Sequence, residues 1–452
     1  MISSWNSDWL GTNPIFFNTQ NKKISHNIND VIDIENLEFD NEGFNNYLRY
    51  GYSVFGQTPI KNVKFLSPNS SISIQNGDFV ISKEEDPADK YFGKISREED
   101  VIGAISSKVK SWESSTKGNI VIPTSGGYDS RMLNLMIANK SRIKAFTYGI
   151  SRKQNESFEI VYAKKFCESQ NIKWQSINLG EFNNFTEKWY DIYGVSTGAM
   201  GMYHLEFYDK IKSILKNEHL NLLSGIVGDA WAGSINKKPI NNVNDVILIG
   251  HNHGVSIDSK YSKLKSGNNL EEQFWEENKE KLQEHYYQVI FLVRFKMIFL
   301  SYLLKIPNYL GFNSWSPFID EKICLSMLNI PSERRLDRLW QKEFFRKNGA
   351  NIEDDKSLKV KKSNFLDLYS MYKTPLKPLD AKLLSRVVDE NYVESINKNL
   401  YSSSHLKRYF QYNFFSKNEK KDQYLNAYNS YIILKPIETL LSKQMESLKK
   451  SS

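Results

Sequence analysis

At 452 residues the chain is long enough for two or three domains. A 40% hydrophobic share with 13% aromatics supplies ordinary packed cores and excludes wholesale disorder. The net charge of +8 is modest for this length, and acidic residues are interspersed with the lysines, as at 417–422. That pattern argues against a nucleic-acid stripe and leaves room for a basic pocket that takes an anionic ligand.

The first ninety residues read as short strands and turns. Asn13 to Lys22 suggests two strands meeting at a polar turn, Glu42 to Tyr50 a short helix, and Ser71 to Ser82 a hairpin. Lys83 to Lys94, charged and carrying Pro87, is the best linker candidate. From Glu98 onward helices and strands alternate. Helices are expected over Glu99–Ser114, Arg131–Asn139, Glu156–Asn171 and Met202–Leu215. Strands are expected over Asn119–Pro123, Arg142–Gly149, Lys173–Asn178 and Leu220–Ser224. This alternation predicts a parallel, doubly wound sheet whose ligands bind beyond the carboxyl ends of the strands. Beyond about residue 270 helical patterns dominate, without an internal repeat.

Cys167 and Cys324 each fall inside an apolar helical pattern and read as buried thiols. The polar N-terminus shows no signal peptide. Val289 to Leu304 is interrupted by Arg294 and Lys296 and is shorter than the ~20 residues that span a bilayer, so a buried helix and a cytoplasmic protein are expected.

The stretch Ile120 to Ser130 carries the chemistry. An apolar strand runs into Ser125-Gly126-Gly127-Tyr128-Asp129-Ser130 and then into a helix. Adjacent glycines permit close approach of a ligand, and free N–H groups at the helix start, with the Ser125 and Ser130 hydroxyls, form a cradle for phosphate oxygens. Asp129 is placed to hold Mg²⁺ against those phosphates. A second strand, Leu222 to Ser224, delivers Gly225, Gly228 and Asp229, so two carboxylates from separate strand ends could share metal ions that bridge the phosphates of a bound ligand. The residues His204 and Glu206 read first as an exposed helix face and second as candidates for a base bordering a substrate pocket, and His251-Asn-His253 lacks the further ligands a zinc site needs.

The Ser-Gly-Gly-x-Asp-Ser turn resembles the pyrophosphate loop of N-type ATP pyrophosphatases, which cleave ATP between its α- and β-phosphates. Followed by Ser224–Gly233, Pro317–Asp320, Lys342–Arg346 and Lys362-x-x-Phe365, it is similar to the synthetase domain of the asparagine synthetase family, which includes β-lactam synthetase and the lasso-peptide cyclases. Gly11-x-x-Pro-Ile-Phe-Phe17, Tyr50-Gly-Tyr52, Thr58-x-Ile60 and Leu66-Ser-Pro68 resemble the back half of that family's Ntn-type glutaminase domain. The resemblance implies an α/β protein. Residues 1–92 would be a truncated, β-rich Ntn-like domain, and 93–452 an adenine nucleotide α-hydrolase-like synthetase domain on a parallel sheet, helical from about 270.

It implies ATP and Mg²⁺ as cofactors, with phosphates on Ser125, Gly126, Gly127, Asp129 and Ser130 and adenine near Tyr148, Gly149 and Gly225. Asp129 and Asp229 would hold the metal. Lys362 would stand beside the α-phosphate and the tetrahedral oxyanion. The substrates would be a small-molecule or peptide carboxylate and an amine or ammonia, with no nucleic acid and no membrane, and a homodimer as an open option. Glutamine-hydrolysing members begin Met-Cys, whereas this chain begins Met1-Ile2-Ser3, so glutaminase activity is expected to be missing. Where asparagine synthetases carry Gly-Glu-Gly-Ser-Asp-Glu, this chain has Gly225-Ile226-Val227-Gly228-Asp229-Ala230, and Trp315 stands where arginine is common. The amine's base is therefore unassigned. An asparagine synthetase fed by a separate glutaminase subunit, a tRNA-modifying pyrophosphate-loop enzyme and an inactive ATP-binding scaffold remain as alternatives.

Overall fold

The computed structural model describes residues 4–216, 219–235, 240–250, 255–267, 269–401 and 419–451. Strands β1 (Trp5–Asn6), β2 (Phe16–Asn18), β3 (Ile24–Ser25), β4 (Val63–Phe65), β5 (Ser70–Gln75) and β6 (Asp78–Lys83) make two small antiparallel sheets, ordered β1-β5-β6 and β3-β2-β4. The β5–β6 hairpin turns at Asn76-Gly77, both left-handed, which matches the twist of the strands they join. Asp40 caps the helix Asn41–Tyr50, and Gly51 ends it in the left-handed conformation. The expected linker is anchored rather than free. It contains the helix Pro87–Tyr91, Asp86 takes two hydrogen bonds from the Arg294 guanidinium, and Asp89 pairs with Lys281 at 2.6 Å.

Five parallel strands follow: β7 (Ile120–Pro123), β8 (Ile143–Thr147), β9 (Trp174–Ser176), β10 (Asn221–Leu223) and β11 (Asn313–Trp315), ordered β11-β10-β7-β8-β9. Ile120, Val121 and Ile122 are fully buried, as a central strand covered by helices on both faces requires. The chain steps outward from β7 to β9, then returns to the other side of β7 as β10 and β11. The loops leaving β7 and β10 therefore diverge, and a crevice opens between them at the carboxyl edge of the sheet. Helices Tyr128–Met136, Phe158–Ser169 and Met202–Leu215 connect these strands.

Most sequence expectations hold to within three residues at each boundary. The helix behind the pyrophosphate-type loop starts earlier than expected, at Tyr128, because the Ser-Gly-Gly turn is complete by Gly127. Cys167 and Cys324 are buried thiols, and burial pushes Cys167 up to about 12. The apolar stretch near 290 forms the helix His285–Leu300, which is followed by a second helix, Tyr302–Tyr309. Among the described residues no helix is long and apolar enough to cross a membrane.

Candidate active site

The loop after β7 is held by its own hydroxyls. Ser125 N–H donates to Ser130 Oγ at 2.9 Å, and Gly127 N–H donates to Ser125 Oγ at 3.1 Å. Behind it the fully buried Arg131 donates from Nε to the Gly127 carbonyl at 3.2 Å and pairs with Glu353. Its guanidinium lies 5.0 Å from the Tyr128 ring and 4.9 Å from the Phe345 ring. No side chain caps the helix that begins at Tyr128, so its first-turn N–H groups stay available to a ligand at the crevice. Gly126 is needed for protein packing, since a Cβ there would sit 2.6 Å from the Phe158 ring.

Asp129 and Asp229, the two sequence-predicted metal ligands, come together across this crevice. Burial first, and the charge of Asp229 second, push the Asp129 carboxyl up to about 7. Gln341 Nε2 donates to Asp129 Oδ1 at 2.9 Å, and Arg338 partly offsets the negative charge. Ser234 Oγ donates to Asp229 Oδ2 at 3.1 Å. The two loops touch closely: a Cβ on Gly228 would lie 2.9 Å from the Asp129 carboxyl carbon and 2.8 Å from the Phe318 ring. Phe318 belongs to the Pro317–Asp320 segment, whose carbonyl at 318 accepts from Trp231 Nε1 at 2.9 Å, so this motif backs the second loop. Val227 sits at φ +50, a left-handed conformation that strains a β-branched side chain. It occupies the position where the resembling motif carries glycine.

Two cavities meet here. The smaller, about 270 Å³, is lined by Ser125, Gly127, Asp129, Ser130, Tyr148, His204, Gly225 and Asp229 among others. The larger, about 790 Å³, shares Val227, Asp229 and Leu303 with it and extends to Tyr203, Tyr302, Asn364 and Asp367. Gly149 lies behind the wall, where a Cβ would meet the Gln154 carbonyl oxygen at 2.1 Å. Lys362 is exposed, with Nζ 5.5 Å from the centre of the Phe158 ring that covers Gly126. Its segment is pinned to the site by main-chain bonds, Phe158 N–H to the Lys361 carbonyl at 2.9 Å and Phe365 N–H to the Ile150 carbonyl at 2.7 Å.

One expectation is overturned. His204 and Glu206 are buried, at 6% and 1% exposure, because their helix is enclosed by the Phe182–Phe185 turn on one side and Tyr302–Tyr309 on the other. His204 lines the smaller cavity among Tyr148, Tyr203 and Tyr302, and burial lowers it to about 3, which keeps the imidazole neutral. Glu206 instead accepts the N–H groups of Gly180 and Glu181 and pairs with Lys210. Trp315 packs by stacking on Trp112, ring centres 5.4 Å apart. His251 and His253 lie outside the described residues.

The family model described as Asparagine synthase matches residues 124–419, well over half of the chain. The chain belongs to this family. At family level it is therefore an ATP-dependent ligase that forms amide C–N bonds, and the matched span opens at the phosphate-type loop and includes both carboxylate loops, the Gln341 helix and Lys362. The comparison with curated proteins gives no match. Family members generally use Mg²⁺ with ATP, and the donor set fits that ion. Among the described residues no cluster of three or more His, Cys, Asp or Glu occurs. A cation beside Asp129 and Asp229 would take two protein carboxylates and fill its shell with phosphate oxygens and water, the habit of Mg²⁺. Reading the sequence missed Gln341, Arg338, Arg131 and Asp367. Gln341 lay inside the quoted Trp340–Arg346 run, but no local pattern announces which member of a helical run faces a carboxylate 212 positions away.

Proposed function

We propose that this chain activates a substrate carboxylate with ATP as an acyl-adenylate, with release of pyrophosphate, and passes the acyl group to an amine or ammonia with release of AMP. The observation that carries this reading is the meeting of Asp129 and Asp229, delivered by loops from two adjacent parallel strands, at the wall of one cavity. Two carboxylates forced together, one of them held up to about 7, favour a cation between them.

In this reading the phosphates of ATP lie on Ser125, Gly126, Gly127 and Ser130, where N–H and hydroxyl donors converge, with Arg338 as a nearby cation. The nucleoside lies toward Tyr148, Gly149 and Gly225. Mg²⁺ on Asp129 and Asp229 would neutralise the departing pyrophosphate. Lys362 serves the α-phosphate and the tetrahedral oxyanion, a role worth about 3–4 kcal/mol for a well-placed donor. His204, neutral and enclosed, contributes a hydrogen-bonding edge rather than a charge. The two cysteines of these 452 residues are both buried, so neither offers an exposed thiol for hydrolysing glutamine, and the nitrogen arrives as ammonia or an amine.

ATP–pyrophosphate exchange across a library of carboxylates tests this reading, because exchange needs only the first half-reaction. Exchange with at least one carboxylate is expected. Formation of ADP, or absence of exchange across a broad library with Mg²⁺ present, overturns it. Ammonium, amines and glutamine, compared in the second half-reaction, separate the nitrogen sources.

A further inference from the structure

We infer that the larger cavity receives a largely apolar amine as its ammonium, and that Asp367 is the carboxylate that holds this ammonium and takes its proton.

Glu113 accepts the N–H groups of Ala138 and Asn139, and Glu271 meets Arg49 and Tyr50. Glu206 has two N–H groups and Lys210, and Glu438 has the Asp380 N–H and Lys435. Each of these buried carboxylates is thus met by donors or a cation. Asp367 is different. It opens on the cavity, yet the surrounding protein holds its carboxyl up to about 6 through burial alone, with no cation or hydrogen-bond donor among the described residues to offset it. Lys296 lines the same cavity without lowering it. A carboxylate left this way is stabilised by a cation brought in from outside.

The cavity itself narrows the occupant. At about 790 Å³, with walls that include Leu292, Val293, Phe299, Leu300 and Leu368, it suits an amine with a substantial apolar body far better than ammonia. The shared wall of Val227, Asp229 and Leu303 sets this amine beside the smaller cavity. The step rests on the adenylation reading. Asp367 takes one proton from the bound ammonium, the freed nitrogen forms the C–N bond at the acyl carbon, and the C–O bond to AMP breaks with its electron pair leaving on the phosphate. The second proton departs to solvent.

The test uses the full chain without nucleotide, with n-hexylammonium, n-hexanol and hexanoate as calorimetric probes. The wild type is expected to bind hexylammonium at least tenfold more tightly than Asp367→Asn, while hexanol binds both alike. Leu292→Trp, which fills the cavity, weakens both probes. Wild-type affinity for hexylammonium falls as pH drops through about 6. Of the groups facing Asp367, Tyr203 and Tyr428 are pushed far up by burial and stay neutral, and neither Lys296 nor Asp229 enters its charge balance. Equal hexylammonium binding by Asp367→Asn, preference for hexanoate, or no binding by the wild type overturns the inference. Pyrophosphate exchange in the same preparations keeps the two readings apart. Absent exchange in the wild type with intact amine binding removes only the adenylation reading.

Discussion

Replacing Asp129 by asparagine should make the unliganded protein more stable while removing its activity. In the folded chain the Asp129 carboxyl is held at about 7 against an ordinary 3.8, by burial and then by Asp229. Between those two values the unfolded chain has already released its proton while the folded chain keeps it. Rising pH therefore favours unfolding through that window, and the loss is complete above about 7. A shift of that size corresponds to roughly 4 kcal/mol at pH 8. The variant has no proton to lose, and its amide oxygen can still accept from Gln341.

With an unfolding entropy of about 2.1 cal/mol/K per residue, the chain melting as one unit would gain about 4 °C at pH 8. Near pH 4 the difference should vanish. His204, lowered to about 3, works in the opposite direction, since acid favours the unfolded state below its ordinary 6.5. Its contribution and that of Asp367 cancel when the two proteins are compared at each pH. Thermal melting from pH 4 to 8, with and without Mg²⁺ and ATP, is the assay. The ligands should stabilise the wild type and leave the variant nearly unmoved. An Asp129→Asn variant that melts below the wild type at pH 8, or a difference that does not change with pH, would refute the electrostatic reasoning.

Other substitutions probe the geometry around this pair. Gly228→Ala would drive a methyl to 2.9 Å from the Asp129 carboxyl carbon, so exchange should fall at least a hundredfold with the circular dichroism spectrum unchanged. Val227→Gly relieves the strain at φ +50 but empties a buried core position, so it should destabilise the protein by about 1 kcal/mol, read by denaturant midpoint. Lys362→Ala should reduce pyrophosphate exchange or amide formation by about 10²–10³-fold, with the melting temperature unchanged because the side chain is exposed; turnover like the wild type would remove its role.

The residues 120–130 and 222–233 announced themselves because their chemistry is local. An apolar run, a glycine turn and a helix start follow from backbone sterics and hydrogen bonding over a dozen residues. The alternation of strands and helices likewise gave the parallel sheet, and hence the edge at which the crevice opens. Exposure along a helix was less legible. The Met202–Leu215 run has polar residues at 204 and 206, which reads as a solvated face until the helix is enclosed on both sides.

Sequence alone thus determined the class of fold, the phosphate-type loop and the two acidic positions, since each is written in neighbouring residues. Only the tertiary structure decided that Gln341 and Arg338 reach Asp129, that Val227 is forced left-handed between two cavities, and that Asp367 faces one of them with no partner among the described residues. Those facts depend on how elements more than a hundred residues apart are packed. Packing is settled by the shape and burial of the whole core, which no local pattern encodes.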